Sequence, residues 1–297
     1  MGSLLDFCDG NDERQFERLR ERFGANRDSV FVFVGAGLSR SACQFWQEHG
    51  IVGGSGFDRW DRKFPFWNNL IKKMAGLIPA DTQELEEFVR EHDAIDVAQL
   101  IKQRAPQDYR NLIHDALYIL PQDLPKEVPP AHAALIKLQP KTLVTSNLDE
   151  LLEIYYPRIH GCPLPVVFDP PGLTSGSQAP TQLIKMHGTI SREDSWVMTR
   201  DEYVGIWQTK EAILRSLRYL LEQATCLLVG YSMRDTHVNA LYDAILREQS
   251  ANLNKLNFSV TRGPVNRLTR EYWQSRGLNL IGLKKWDGLA ELFERLW

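Results

Sequence analysis

Residues 30–34 read Val-Phe-Val-Phe-Val, with no polar residue among them. A strand with one wet face alternates apolar with polar. A β-branched and aromatic run without alternation fits a strand covered on both faces, as in a parallel sheet sandwiched by helices. The run breaks at once into Gly35-Ala36-Gly37-Leu38-Ser39. Glycine admits positive φ and lets another backbone or a diphosphate come close. A helix starting here turns its N-terminal N–H groups toward such an anion, with Ser39 placed to cap it. These features predict an α/β chain on an open parallel sheet covered on both faces, whose ligand lies beyond the carboxyl ends of the strands.

Two more stretches have the same form. Thr142-Leu143-Val144-Thr145 runs into Ser146-Asn147-Leu148-Asp149, and Leu183-Ile184-Lys185-Met186 runs into His187-Gly188. A fourth run, Cys226-Leu227-Leu228-Val229, opens into Gly230-Tyr231-Ser232-Met233-Arg234-Asp235, a second glycine turn with a hydroxyl and an acid suited to a ribose or phosphate. An amide, a carboxylate and an imidazole at neighbouring strand ends point to one shared site. Each also has a plainer reading. Asn147 and Asp149 can form an Asx turn opening the next helix, His187 can be a buried packing histidine, and Asp235 can cap a helix. The first turn is not the full dinucleotide fingerprint, because Arg40 stands at the third glycine position and the acid expected about 20 residues on is missing.

Around these strands the pattern is mostly helical. Phe16, Leu19 and Phe23 mark an amphipathic N-terminal helix. Residues 51–65, rich in Gly, Asp and aromatics, read either as a lid near the ligand or as a surface loop whose Trp60 and Phe64 pack onto the body. From 66 to 120 the apolar residues recur at helical spacing. The division predicted is one domain with a core of about 28–50 and 131–297 and a helical insertion of about 51–130. A helix from Ala131 carries His132, read as packing or capping. Residues 157–182 are irregular apart from a short strand near Val166-Val167-Phe168. Helices follow at about 209–223, up to Glu248, 265–276 and 289–297, with strands at 258–260 and 278–281.

The 297 residues carry a formal charge of −3, which gives no broad attraction to nucleic acid or to a membrane surface. No stretch approaches the roughly 20 apolar residues of a membrane span. The N-terminus lacks a signal-peptide pattern. Cys8, Cys43, Cys162 and Cys226 form no C-x-x-C pair, so the expectation is a reduced cytoplasmic protein without structural zinc.

In their order, Gly35-Ala36-Gly37-Leu38-Ser39, Thr145-Ser146-Asn147-Leu148-Asp149, Lys185-Met186-His187-Gly188 and Gly230-Tyr231-Ser232 resemble the motifs of the SIR2 (sirtuin) superfamily, which implies a Rossmann-like parallel sheet with helices on both faces, binding NAD, plus a smaller helical module. Departures narrow the resemblance. Protein-deacylating sirtuins carry a zinc ribbon after the His-Gly motif; they continue the glycine turn with Pro-Asp-Phe-Arg and place Gln before the Asn. Here the ribbon is missing, the turn continues Arg40-Ser41-Ala42, and Ser146 precedes Asn147. Gly230-Tyr231-Ser232-Met233-Arg234-Asp235 and Phe66-Trp67-Asn68-Asn69-Leu70 are instead similar to SIR2-like domains of bacterial anti-phage proteins, which hydrolyse NAD+ when infection is sensed.

The resemblance implies an NAD+ glycohydrolase, a homo-oligomer, and a sensor in the same longer chain or in a partner subunit. Nicotinamide leaves as a neutral molecule, so the enzyme must hold the bond, stabilise the ribosyl cation and deliver water. On that reading Asn147 orients water or the ribose hydroxyls, Asp149 favours the cation, and His187, titrating near neutrality, accepts a proton. Gly35, Ala36, Gly37, Ser39 and Ser146 hold the dinucleotide near the diphosphate, with Gly230, Ser232 and Asp235 at its adenosine end. The competing readings are a nucleotide-binding module without turnover and an NAD-dependent protein deacylase.

Overall fold

At the centre of the sheet is the run that opened the sequence. In the computed structural model, which describes residues 5–77, 81–168, 180–231 and 256–296, β1 (Val30–Val34) pairs in parallel with β2 (Thr142–Thr145) on one side and β5 (Thr225–Val229) on the other. With β3 (Val166–Val167), β4 (Gln182–Lys185), β6 (Asn257–Arg262) and β7 (Leu278–Leu283), the order is β3-β4-β2-β1-β5-β6-β7, and every pairing is parallel. The chain passes from β1 to β2, out to the edge at β3 and back to β4 between them, then returns to β5 and winds the other way through β6 and β7. The strand order therefore reverses at β1, and a crevice at the carboxyl ends is the expected ligand position.

The missing alternation in Val30–Val34 has the expected cause. Val30, Val32 and Val34 join one apolar cluster; Phe31 and Phe33 join another, and all five are buried. The first layer is formed by α1 (Gly10–Ala25), α2 (Ala36–Glu48), α7 (Pro130–Leu138), α8 (Leu151–His160) and α12 (Gly288–Glu294). The second is formed by α9 (Arg200–Thr209), α10 (Glu211–Gln223) and α11 (Arg267–Gln274). Phe16, Leu19 and Phe23 sit fully inside the first layer, each contributing about 1.5–3 kcal/mol by leaving water. Asp12 fastens α1 to β7. Its buried carboxylate accepts the Gly282 N–H at 2.8 Å and pairs with Arg270 at 2.8 Å. Burial raises its pKa, and the Gly282 N–H and Arg270 oppose the rise.

Helices α3 (Trp67–Ala75), α4 (Thr82–Glu91), α5 (Ala94–Arg104) and α6 (Pro106–Leu117) fall between β1 and β2 in sequence and build a third cluster. Its wall includes Leu148, Ile190, Trp196 and Met198 from the loops after β2 and β4. Polar contacts fasten it to the start of α9: Arg200 pairs with Asp96, Lys102 with Glu202, and Gln99 bonds Asp201. Of the two readings of residues 51–65, the structure has the packed one. Trp60 and Phe64 are buried, and the Trp60 indole N–H donates to the Ile51 carbonyl at 2.7 Å.

Helix α9 was not expected. Its capping box, with Thr199 and Glu202 bonded reciprocally, starts a helix where residues 191–202 give no apolar period. The expected helix to Glu248 lies outside the described residues.

Candidate active site

Three strand ends converge here. At the end of β2, the Thr145 hydroxyl donates to the Val34 carbonyl at 2.8 Å and accepts the Asn147 N–H at 3.0 Å, which bolts the loop to β1. Leu148 then points into the insertion's core, and Asn147 and Asp149 turn the other way, toward α2. The Asn147 amide donates to Ser39 Oγ at 3.0 Å, and Ser39 Oγ donates to Asp149 Oδ2 at 2.7 Å. A continuous chain, Asn147–Ser39–Asp149, thus spans the ends of β1 and β2.

Ser39 does not cap α2. The helix starts at Ala36 with Gly35 as its N-cap, so Ser39 is already inside the first turn and its hydroxyl is free to donate to Asp149. The Asx turn is also present, since the Leu151 N–H bonds Asp149 Oδ1 at 3.3 Å. Asp149 thus has one oxygen opening α8 and the other facing Ser39. Burial raises the Asp149 carboxyl; Lys185, the Ser39 hydroxyl and the Leu151 N–H oppose that rise.

Lys185 was not singled out in the sequence. It stands at the end of β4 with its side chain fully buried. Its Nζ donates to Glu153 Oε1 and to the Asp149 carbonyl, both at 2.6 Å, and to the Leu148 carbonyl and Thr189 Oγ1, both at 3.2 Å. One cation therefore fixes the Leu148–Asp149 backbone and the loop after β4. Burial raises the Glu153 carboxyl against the pull of Lys185. A charged residue inside an otherwise apolar strand was the signal for this anchor.

His187 follows two residues later and is buried. Gly188 has φ +88°, and a Cβ there would run into the Ser195 backbone oxygen, so only glycine fits behind this histidine. The His187 carbonyl accepts the Val197 N–H at 3.0 Å, and its ring meets Tyr203 of α9 edge-on at 5.2 Å, with the Tyr203 hydroxyl 3.4 Å from Nε2. Tyr203 is a second residue missed in the sequence, because α9 itself was missed. His187 lies at the adjoining strand end, bonded to Tyr203 rather than to the Asn147–Ser39–Asp149 chain.

On the other flank, Gly230 (φ +65°) crosses Gly35 and Gly37 at the point where the strand order reverses. A Cβ on Gly35 would stand 2.6 Å from the Gly230 oxygen, and one on Gly37 would stand 2.7 Å from the Gly230 Cα. The Gly37 N–H donates to the Gly230 carbonyl at 2.7 Å, and the Leu38 N–H to the Gly35 carbonyl at 3.1 Å. A diphosphate using the Gly37 N–H requires the Gly230 carbonyl to withdraw, and one using the Leu38 N–H displaces the Gly35 carbonyl. Ala36 and Ser146 are partly exposed at the two turns. Ser232 and Asp235 lie outside the described residues. Among the described residues, no group of three or more His, Cys, Asp or Glu is placed to hold a metal, and no helix is long and apolar enough to cross a membrane.

Residues 141–281 match the model of the SIR2-like domain family. Over 160 residues the chain is 22% identical to Defense-associated sirtuin 2 of Bacillus subtilis. That stretch covers 52% of this chain and 16% of the relative's length.

Proposed function

We propose, from the premise that this chain carries a SIR2-like domain, that it hydrolyses NAD+ between nicotinamide and ribose and serves as the effector of an anti-phage system. The observation that carries the reading is the Asn147–Ser39–Asp149 chain at the ends of β1 and β2, with His187 at the end of β4 beside it. In this reading NAD+ is the substrate and supplies the scissile N-glycosidic bond.

The chain's own residues do the rest. Ser39 fixes the Asn147 amide and the Asp149 carboxylate relative to each other, so neither must reorganise during reaction. The Asn147 amide oxygen is left to orient a hydroxyl or water. Burial raises the Asp149 carboxyl, and Lys185, Ser39 and the Leu151 N–H oppose that rise; in its charged form it offsets positive charge developing at the ribose. His187, with Tyr203 against its ring, accepts the proton. The diphosphate lies along the Gly35 and Gly37 backbone once the Gly230 carbonyl withdraws from the Gly37 N–H, and Ala36, Ser146, Ser232 and Asp235 extend the contact. Action on a cytoplasmic nucleotide places the protein in the cytoplasm. A sensor, on a longer chain or a partner, and self-association supply control.

The test is nicotinamide release from NAD+ by the wild type, Asn147→Ala and His187→Ala, each checked for folding. Loss of turnover in both folded variants supports the hydrolase. Full activity in both refutes these assignments. Stabilisation by NAD+ without product, in the full chain with its partner and trigger, identifies a binding module instead.

A further inference from the structure

Behind the Asn147–Ser39–Asp149 chain is a cavity of about 10 Å³, lined by His132, Thr145, Asn147, Asp149 and Glu153 among others. That is room for about one water molecule. His132, on the first turn of α7, is 1% exposed, and its Nδ1 has no hydrogen-bond partner among the described residues. The Tyr155 ring meets it edge-on at 6.3 Å. A buried nitrogen left in this state costs about 1–3 kcal/mol. Burial also pushes the imidazole down to about 3, so the ring is neutral and has one N–H to place. The same cavity is lined by Asp149 and Glu153, whose carboxylates are acceptors when ionised. A donor, two acceptors and a gap the size of a water define what fits among them.

We propose that one ordered water occupies this cavity, accepts a hydrogen bond from His132 Nδ1–H and donates to the carboxylates of Asp149 and Glu153, so that His132 is a positioning residue for Asp149. The water site stands on the cavity and the orphaned nitrogen alone; the positioning role rests on the NAD+-hydrolase reading. Asp149 then receives a donor beyond Ser39 Oγ and the Leu151 N–H, and the ring holds the carboxylate without touching substrate. If packing were the reason for His132, leucine would serve better, having similar bulk and no polar atom to bury.

Two measurements decide the water without any activity. A crystal structure of this chain should show an ordered water bonded to His132 Nδ1 and Asp149, and ¹⁵N resonances should show the Nδ1–H tautomer. A dry cavity or the Nε2–H tautomer overturns the water site. Turnover decides the role, in whichever form of the protein releases nicotinamide. His132→Leu is expected to keep the melting temperature and KM but to lower kcat by roughly tenfold or more. His132→Asn, whose amide nitrogen takes the place of Nδ1, should recover most of it. Unchanged kcat in His132→Leu, or equal loss in the leucine and asparagine variants, overturns the positioning role. No nicotinamide release by wild type under any condition refutes the hydrolase reading and the role built on it, and leaves the water site to the first two measurements.

Discussion

Replacing Lys185 by Met should cost more than any other single change near the site, and the cost should depend on pH. Methionine keeps the length of the side chain and removes the cation. Glu153, only 18% exposed, then loses its partner at 2.6 Å, and the Leu148 and Asp149 carbonyls lose their donor. Breaking a buried ion pair by removing one partner costs about 3–5 kcal/mol. Glu153 can limit that cost by taking up a proton. Its folded pKa is already raised by burial, and it rises further once the Lys185 charge is gone. A carboxyl with a raised folded pKa contributes stability that is complete below its unfolded value, about 4.3. The contribution is lost as pH climbs through the folded value. The destabilisation of Lys185→Met is therefore greatest near pH 8 and smaller near pH 5. Urea unfolding of wild type, Lys185→Met and Lys185→Met/Glu153→Leu at both pH values is the assay. The double variant should recover the part of the loss that comes from Glu153, because that carboxylate is no longer buried without its cation, while Asp149 and the two carbonyls still lack Lys185. A loss under about 1 kcal/mol at pH 8, or the same loss at both pH values, would refute the reasoning.

Three further outcomes follow from the geometry. Ser39→Ala leaves the Asn147 amide and Asp149 Oδ2 unpartnered and should cost about 1–3 kcal/mol, with nicotinamide release falling as well; wild-type stability by thermal melting would contradict it. Gly188→Ala forces a side chain onto a φ of +88° and into the Ser195 carbonyl, so a loss of about 1–3 kcal/mol is expected from strain alone, read by denaturant titration. Asp12→Ala leaves the Gly282 N–H without its acceptor and Arg270 with only Asp9 and the Leu280 carbonyl, and should cost about 1–3 kcal/mol; hydrogen exchange should show that β7 and α1 lose protection together.

Much of the core was legible because its strands are buried on both faces. Val30–Val34, Thr142–Thr145 and Thr225–Val229 announce themselves by unbroken apolar runs, and the residue types at their ends are those that meet in space. The rest depends on contacts between residues distant in sequence. Ser39 reads as a cap from its neighbours alone; only the position of Asp149, 110 residues on, turns it into a bridge. Lys185 looks like an interruption in a strand until the carbonyls of Leu148 and Asp149 come within reach. His132 reads as ordinary packing on an apolar helix, and its unpaired nitrogen is visible only with the cavity beside it. Helix α9 escaped notice because its first turn is spent on polar partners and its apolar period, Tyr203, Ile206 and Trp207, is short.

That first turn has a mechanical consequence. Arg200, Asp201 and Glu202 grip the helical insertion, and Tyr203, the next residue, lies against His187. Along a helix axis these four residues span only about 4.5 Å, too short a rod to bend. The insertion and the histidine are therefore held by the same rigid piece. A pull that tilts the insertion swings the tyrosine by a similar angle, and a ligand that shifts His187 pushes back on helices far from the sheet.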